Sequence, residues 1–280
     1  MINLEKIKDK AAADGIGFNL VLKEYIHFLV LDYMFKNDLF SYIVFQGGTA
    51  LRFAYKGVRY SEDLDFVLKE RKGGFFDKIP DKLNNLPSYI DKLIPFAKNI
   101  RLKTQKQSPT IKRFIISMAV EGFLALDKTN IEFAAVPSYE SRVMIIDKED
   151  MPVNPAVAVE SPAEILSDKF IAVGARKYVK GRDIWDIFFL LNTLHTKIDD
   201  NVIKMCKAKI SDYGLAPDEF TAKYQKNYLL LQNEGHMILK EEMDKFLPSA
   251  YKKLYKTDYR VICNEALDAL KLIKEKTNRL

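Results

Sequence analysis

Hydrophobic positions recur along this chain with two different periods, and the change from one to the other divides it. Residues 18–36 set Leu22, Ile26, Leu29 and Tyr33 on one helical face, which predicts a core helix. Residues 41–46, SYIVFQ, form a short, nearly continuous apolar run that Gly47 and Gly48 bring to an end, as expected of a buried strand. Two helical turns over 50–56 follow, and 58–69 reads as a second strand. A Lys-rich amphipathic stretch covers 75–98. Alternation then predicts a β-meander with strands over 99–105, 111–120, 129–136 and 142–146, the last two bracketing Pro137.

From Ser161 onward the period is helical to the end of the chain, with no strand pattern. Ser161-Pro162-Ala163-Glu164 is a helix start, with Ser as cap, Pro at the first helical position and Glu reaching back. The expected plan is α+β: a mixed sheet flanked by helices over 1–155, then a helical part over 156–280, with 151–155 (MPVNP) as the linker. No internal repeat or low-complexity segment interrupts it.

Composition narrows the classes further. The 280 residues are 48% hydrophobic and 29% charged, the balance of a globular protein. No uncharged apolar run reaches membrane-spanning length, and the N-terminal pattern is a charged helix rather than a signal peptide. The two cysteines, Cys206 and Cys263, lack metal-ligand spacing and build no disulfide framework, so the expected compartment is the cytoplasm. A net charge of +6 permits a polyanionic partner without requiring one.

The chemistry concentrates in FQGGTALRFAYKGVRYSEDLDF, residues 45–66. In a strand, Asp63 and Asp65 project from one face while Leu64 and Phe66 pack on the other. Two adjacent carboxylates repel each other unless a cation sits between them, and hard oxygen ligands favour Mg²⁺, with Mn²⁺ as a substitute. Upstream, a strand, then Gly47-Gly48-Thr49, then a helix offers close backbone approach, N–H donors and the positive end of a helix dipole. Those features suit a phosphate. Together they are the requirements of metal-dependent phosphoryl or nucleotidyl transfer.

This stretch closely resembles the first motif of the AbiEii/AbiGii-type toxin nucleotidyltransferases, a branch of the polymerase-β-like superfamily. That motif, Gly-Gly-Thr-Ala-Leu followed by Arg-x-Ser-x-Asp-x-Asp, is matched by Gly47, Gly48, Thr49, Ala50, Leu51, Arg59, Ser61, Asp63 and Asp65. A second signature, a helical Lys, an Arg and then Arg-Asp-x-x-Asp, is matched by Lys169, Arg176, Arg182, Asp183 and Asp186. The resemblance covers roughly residues 20–195. It implies a nucleotidyltransferase fold whose helical part contributes Lys and Asp residues to the active-site cleft. Asp63 and Asp65 would hold the metal. Gly47, Gly48, Thr49, Arg59, Ser61, Lys169, Arg176, Asp183 and Asp186 would serve the NTP, with one of the last two orienting Lys169 or contacting the nucleotide. Relatives add a third carboxylate, and Glu132, the acid within the apolar run TNIEFAAVP, fits that place as metal support or as base. The resemblance further implies an RNA acceptor at the 3′ end of tRNA, a growth-arrest or abortive-infection role, and a cognate antitoxin.

Between residues 98 and 113 lie six basic residues and no acid: Lys98, Arg101, Lys103, Lys106, Lys112 and Arg113. Arg101, Lys103 and Gln105 alternate along one strand, and Arg101, Lys103 and Lys106 are the expected RNA contacts. His27, His195 and His236 read as structural. Tyr224, Tyr228, Phe246, Tyr251, Tyr255 and Tyr259 recur at helical spacing and read as interhelical packing. Two other classes remain open on sequence: an enzyme of this fold acting on a protein hydroxyl or small molecule, and a non-catalytic nucleic-acid or protein-binding module.

Overall fold

In the computed structural model the chain starts with a capped helix. Asn3 accepts from Glu5 N at 2.8 Å to open α1 (Leu4–Asp14), which Gly15 closes in the left-handed region. The structure describes residues 2–70, 74–120, 122, 127–148, 151 and 154–279. The chain divides into two units, one of Met1–Lys56 and Tyr60–Val159, the other of Gly57–Arg59 and Glu160–Leu280. Pro152 and Val153 of the expected linker lie outside the described residues.

The first unit continues with α2 (Phe18–Lys36), β1 (Ile43–Gln46), α3 (Gly47–Ala54), β2 (Asp63–Leu68), α4 (Phe75–Leu83), α5 (Leu86–Asp91), β3 (Ala97–Gln107), β4 (Ile111–Val120), β5 (Asp127–Pro137), β6 (Ser141–Ile145) and β7 (Ala156–Glu160). Its seven-stranded sheet runs in the order β3-β4-β5-β2-β1-β7-β6. Pairing is antiparallel through β3, β4 and β5, parallel from β5 to β2, antiparallel from β2 to β1 and parallel from β1 to β7.

Several expectations are corrected here. The meander has three strands, not four, because β6 sits at the far edge beside β7. Residues 47–49 are already helical, so the glycines open α3 rather than form a loop ahead of it. The second strand is shorter than 58–69, starting only at Asp63. β7, absent from the sequence reading, is a short run whose buried Val157, Ala158 and Val159 fit a parallel interior strand. The helix over 18–36 is a core helix as expected, and α2 is buried on every side, including Glu24, His27 and Asp32.

One face of the sheet carries the core. β4 alternates strictly, with Phe114, Ile116, Met118 and Val120 buried. Phe45, Phe66, Phe133 and Phe114 make a continuous aromatic run across β1, β2, β5 and β4, with centroid separations of 5.3, 5.2 and 6.1 Å.

Besides Gly57–Arg59, the second unit holds α6 (Pro162–Ala175), α7 (Gly181–Asn192), α8 (Asp200–Asp212), α9 (Pro217–Phe246), α10 (Ser249–Leu254) and α11 (Tyr259–Arg279). Ser161 caps α6 as expected, accepting from Glu164 N at 3.1 Å. α7 starts where α9 passes closest: a Cβ on Gly181 would lie 2.6 Å from the carbonyl oxygen of Ile238. Tyr224, Phe246 and Tyr259 are buried and Tyr255 packs edge-on against Trp185, but Tyr251 is exposed and takes no part in this core. Among the described residues, no helix is long and apolar enough to cross a membrane.

Candidate functional site

Register fixes what the second face of the sheet presents. Residues paired across strands point to the same side. Asp63 pairs with Asn130 and Asp65 with Glu132, so all four share a face. Arg113 pairs with Glu132 on one side and with Lys106 on the other, and Gln46 pairs with Asp65. The result is a straight row across five strands: Lys106, Arg113, Glu132, Asp65, Gln46. The neighbouring row holds Lys103, Ile115, Asn130 and Asp63, and Arg101 follows opposite Ser117.

Strict alternation would send Lys106 to the opposite face from Arg101 and Lys103. A register shift between Thr104 and Lys106 absorbs Gln105 and restores Lys106 to their side. Gln105 therefore does not continue the stripe, and the three expected RNA contacts do share one face. All three are exposed on the edge strand β3. This is also the face of the carboxylates.

The carboxylates are individually positioned. Asn130 Nδ2 donates to Asp63 Oδ1 at 2.8 Å. The Thr49 hydroxyl donates to the backbone carbonyl of Asp63, which ties the first turn of α3 to the start of β2. Thr49 is buried and its hydroxyl is thereby engaged, so its backbone N–H is the group it can offer an anion. Gly47 adopts φ 79°, and a Cβ there would lie 3.0 Å from Asp65 Oδ2. Asp65 thus rests against the glycine at the helix N-terminus, where Gln46 makes no side-chain cap. Glu132 accepts from Arg113 Nε at 2.5 Å.

Ser61 is buried two residues before Asp63. Behind this segment His27 is fully enclosed, its Nε2 3.1 Å from the carbonyl oxygen of Glu62 and its ring edge-on to Phe53. Burial pushes its pKa down to about 4 against the opposing pull of Asp63, so the imidazole is neutral and braces the backbone through an N–H donor. The structural reading of His27 agrees with this placement.

Among the described residues, no three His, Cys, Asp or Glu side chains are grouped to hold a metal ion by themselves. Mg²⁺ commonly takes only one or two protein carboxylates and completes its shell with water and substrate phosphate. Asp63 and Asp65 are half-buried hard donors on one face. They fit that requirement.

The second unit contains its own charged network, assembled from the second motif. Lys169 Nζ is 3.0 Å from Asp183 Oδ1 and 2.6 Å from Asp186 Oδ2. Arg59 donates to Asp186 through Nε and Nη2, both at 2.6 Å, and Arg176 pairs with Asp183. The sequence reading left open which aspartate meets Lys169; both do. Burial works to raise the Asp183 pKa, but Lys169 and Arg176 hold it down to about 2. Asp186 is lowered against the same burial by Arg59 and Lys169, and Lys169 is raised by both carboxylates. Of Lys169, Arg59 and Arg176, Arg176 is the most exposed.

The sequence alone does not single out Asn130, Gln46 or the pairing of Arg113 with Glu132. Asn130 stands two residues before Glu132 in the same strand, so period two could have placed it on that face. Gln46 and Arg113 depend on inter-strand register, which no local pattern encodes.

Residues 29–269 match the family model described as nucleotidyl transferase AbiEii toxin, type IV toxin–antitoxin system. No curated protein matches the chain significantly. Among solved structures, JHP933 from Helicobacter pylori aligns at 18% identity with a TM-score of 0.53, covering 94% of this chain and 95% of that one. A second H. pylori structure, described as a candidate nucleotidyltransferase, aligns at 18% identity and 0.53, covering 94% and 98%. At this identity the two structures establish the fold.

Proposed function

The chain belongs to the AbiEii nucleotidyl transferase toxin family of type IV toxin–antitoxin systems, and from that premise we propose that it transfers a nucleotide from an NTP to a hydroxyl on RNA, at the 3′ end of tRNA. The observation that carries this reading is the face shared by Asp63, Asp65 and Glu132 with Arg101, Lys103, Lys106 and Arg113. The three acids and the basic stripe lie on one face of neighbouring strands in one sheet.

Asp63 and Asp65 would hold Mg²⁺ or Mn²⁺, which when bound supplies Lewis-acid neutralisation of phosphate charge. Asn130 fixes the Asp63 carboxylate, and Gly47 leaves room for that of Asp65. The backbone of Gly47, Gly48 and Thr49 offers N–H donors and a helix dipole to phosphate oxygens. Lys169, Arg176 and Arg59, with Asp183 and Asp186 orienting them, form the cationic set assigned to the nucleotide. In the transfer step an acceptor hydroxyl oxygen bonds to the α-phosphorus, the α–β anhydride bond breaks, and pyrophosphate leaves in line. Glu132 takes the hydroxyl proton. The acceptor's phosphates lie along Arg101, Lys103 and Lys106, and a cognate antitoxin restrains the activity in the cell.

Labelled NTP offered with total RNA and with total protein tests this reading. Label should enter RNA, should require a divalent metal and should disappear with chelator. Acceptor affinity should fall with salt at about −0.7 per phosphate in a log–log plot, and Arg101→Glu with Lys103→Glu should flatten that slope. Label entering protein alone would redirect the assignment to a protein hydroxyl, and coincident salt slopes would return the stripe to a solvated edge.

A further inference from the structure

The shared row places Arg113 between two functions. It stands in register with Lys106 of the basic stripe on one side and with Glu132 on the other. Its guanidinium reaches Glu132, with Nε 2.5 Å from Oε2 and a second nitrogen on the same oxygen. Arg113 keeps 41% of its side-chain surface exposed and Glu132 26%, so the pair is reachable from solvent and is not a sealed core contact. A guanidinium forks onto phosphate as readily as onto carboxylate. In this arrangement the Oε2 acceptor sites of Glu132 are occupied by Arg113.

We propose that Arg113 is a positioning residue that couples acceptor binding to the base. In the resting protein Arg113 holds Glu132. When an acceptor lies on the stripe, a backbone phosphate next to Lys106 takes the guanidinium in exchange, and Glu132 Oε2 becomes free to receive the proton of the acceptor hydroxyl. The inference rests on the nucleotidyl-transfer reading and on Glu132 as its base. It adds that the Oε2 end of the base, the end turned to Arg113, is released when an acceptor phosphate is present, which favours the acceptor hydroxyl over water. Water would otherwise bond to the α-phosphorus, give its proton to Glu132, and yield the nucleoside monophosphate and pyrophosphate.

The test is the partition of NTP between hydrolysis without acceptor and transfer to RNA, measured in wild type, Arg113→Ala, Arg113→Lys, Glu132→Gln and the Arg113→Ala/Glu132→Gln double variant, each checked for an unchanged circular dichroism spectrum. Arg113→Ala should raise the ratio of hydrolysis to transfer roughly tenfold, the scale of one charge-assisted hydrogen bond. Arg113→Lys should fall between it and wild type. The double variant should lose the added hydrolysis, and Glu132→Gln should reduce transfer by about 10²-fold. An unchanged partition in folded Arg113→Ala, beside active wild type, overturns this inference alone. Added hydrolysis that survives in the double variant also overturns it, because Glu132 is then not the group released. Wild type that transfers to no acceptor overturns the underlying reading and this inference together.

Discussion

Gly47 meets two constraints that a side chain would break. Its φ of 79° is a conformation in which L-residues are strained by about 1–2 kcal/mol. A Cβ there would also crowd Asp65 Oδ2 at 3.0 Å, and that carboxylate is half-buried on a short side chain in β2 rather than the end of a long flexible one. Gly47→Ala is therefore expected to lose transfer activity out of proportion to stability. A melting shift of a few degrees with normal activity would show that Asp65 relaxes without consequence; comparing the thermal midpoint with the transfer rate decides between them.

At this scale the sequence was legible wherever chemistry is local. Two aspartates two residues apart in a strand share a face by geometry alone, as Asp63 and Asp65 do. Partners distant along the chain were not legible. Arg59 meets Asp186 across 127 residues, and nothing near either residue announces the pair. For the same reason Asp183 and Asp186 could be put on one helical face without its being known that Lys169 bridges both.

Elements were legible in existence and less so in extent. The cap at Ser161, the helical second half and strands β3, β4 and β5 follow directly from pattern. β7 escaped because a short apolar run buried in the sheet lacks the alternation that marks a half-exposed strand. The bulge at Gln105 escaped because register is a property of two strands.

Packing of α8 against α6 also produced an unforeseen cluster. Lys209, wholly buried, lies 3.2 Å from Glu160, 2.9 Å from Glu164 and 2.7 Å from Asp168. Three carboxylates around one ammonium cannot all be charged cheaply in a dry interior. Burial, and then the charge of Asp168, push the Glu160 pKa well up, and burial raises Asp168 against the pull of Lys209. For acids raised on folding, the folded state binds more protons, so their stabilising contribution is complete below the usual carboxylate range and is lost as pH rises through the raised values. Glu160→Gln should remove much of this alkaline-side decline. Denaturant midpoints from about pH 5 to pH 9 check it: the wild-type curve should fall relative to that of the variant as pH rises, and parallel curves would contradict the shared-proton account.

Across the whole molecule, each unit carries one of the two motifs. The first holds the carboxylates of β2 and β5 beside the basic edge of the sheet, and the second holds the Lys169 network. The change of period placed the division at 155/156, ahead of β7, whereas the two units divide at Val159 and Glu160 because β7 belongs to the sheet. The excursion of Gly57–Arg59 into the second unit could not be read from the sequence, because its signal is the buried partner of Arg59 rather than any local pattern.

In the proposed reaction transfer runs through Asp63 and Asp65. The measurement is the rate of labelled-nucleotide transfer to RNA with Mg²⁺ by Asp63→Asn and Asp65→Asn, read beside their thermal midpoints. Each substitution keeps the side-chain shape and removes one of two neighbouring negative charges, so both variants should melt close to wild type. Each should lose at least about 10²-fold in rate, the scale of removing one transition-state electrostatic contact. A folded variant of either aspartate that transfers at the wild-type rate would contradict the account.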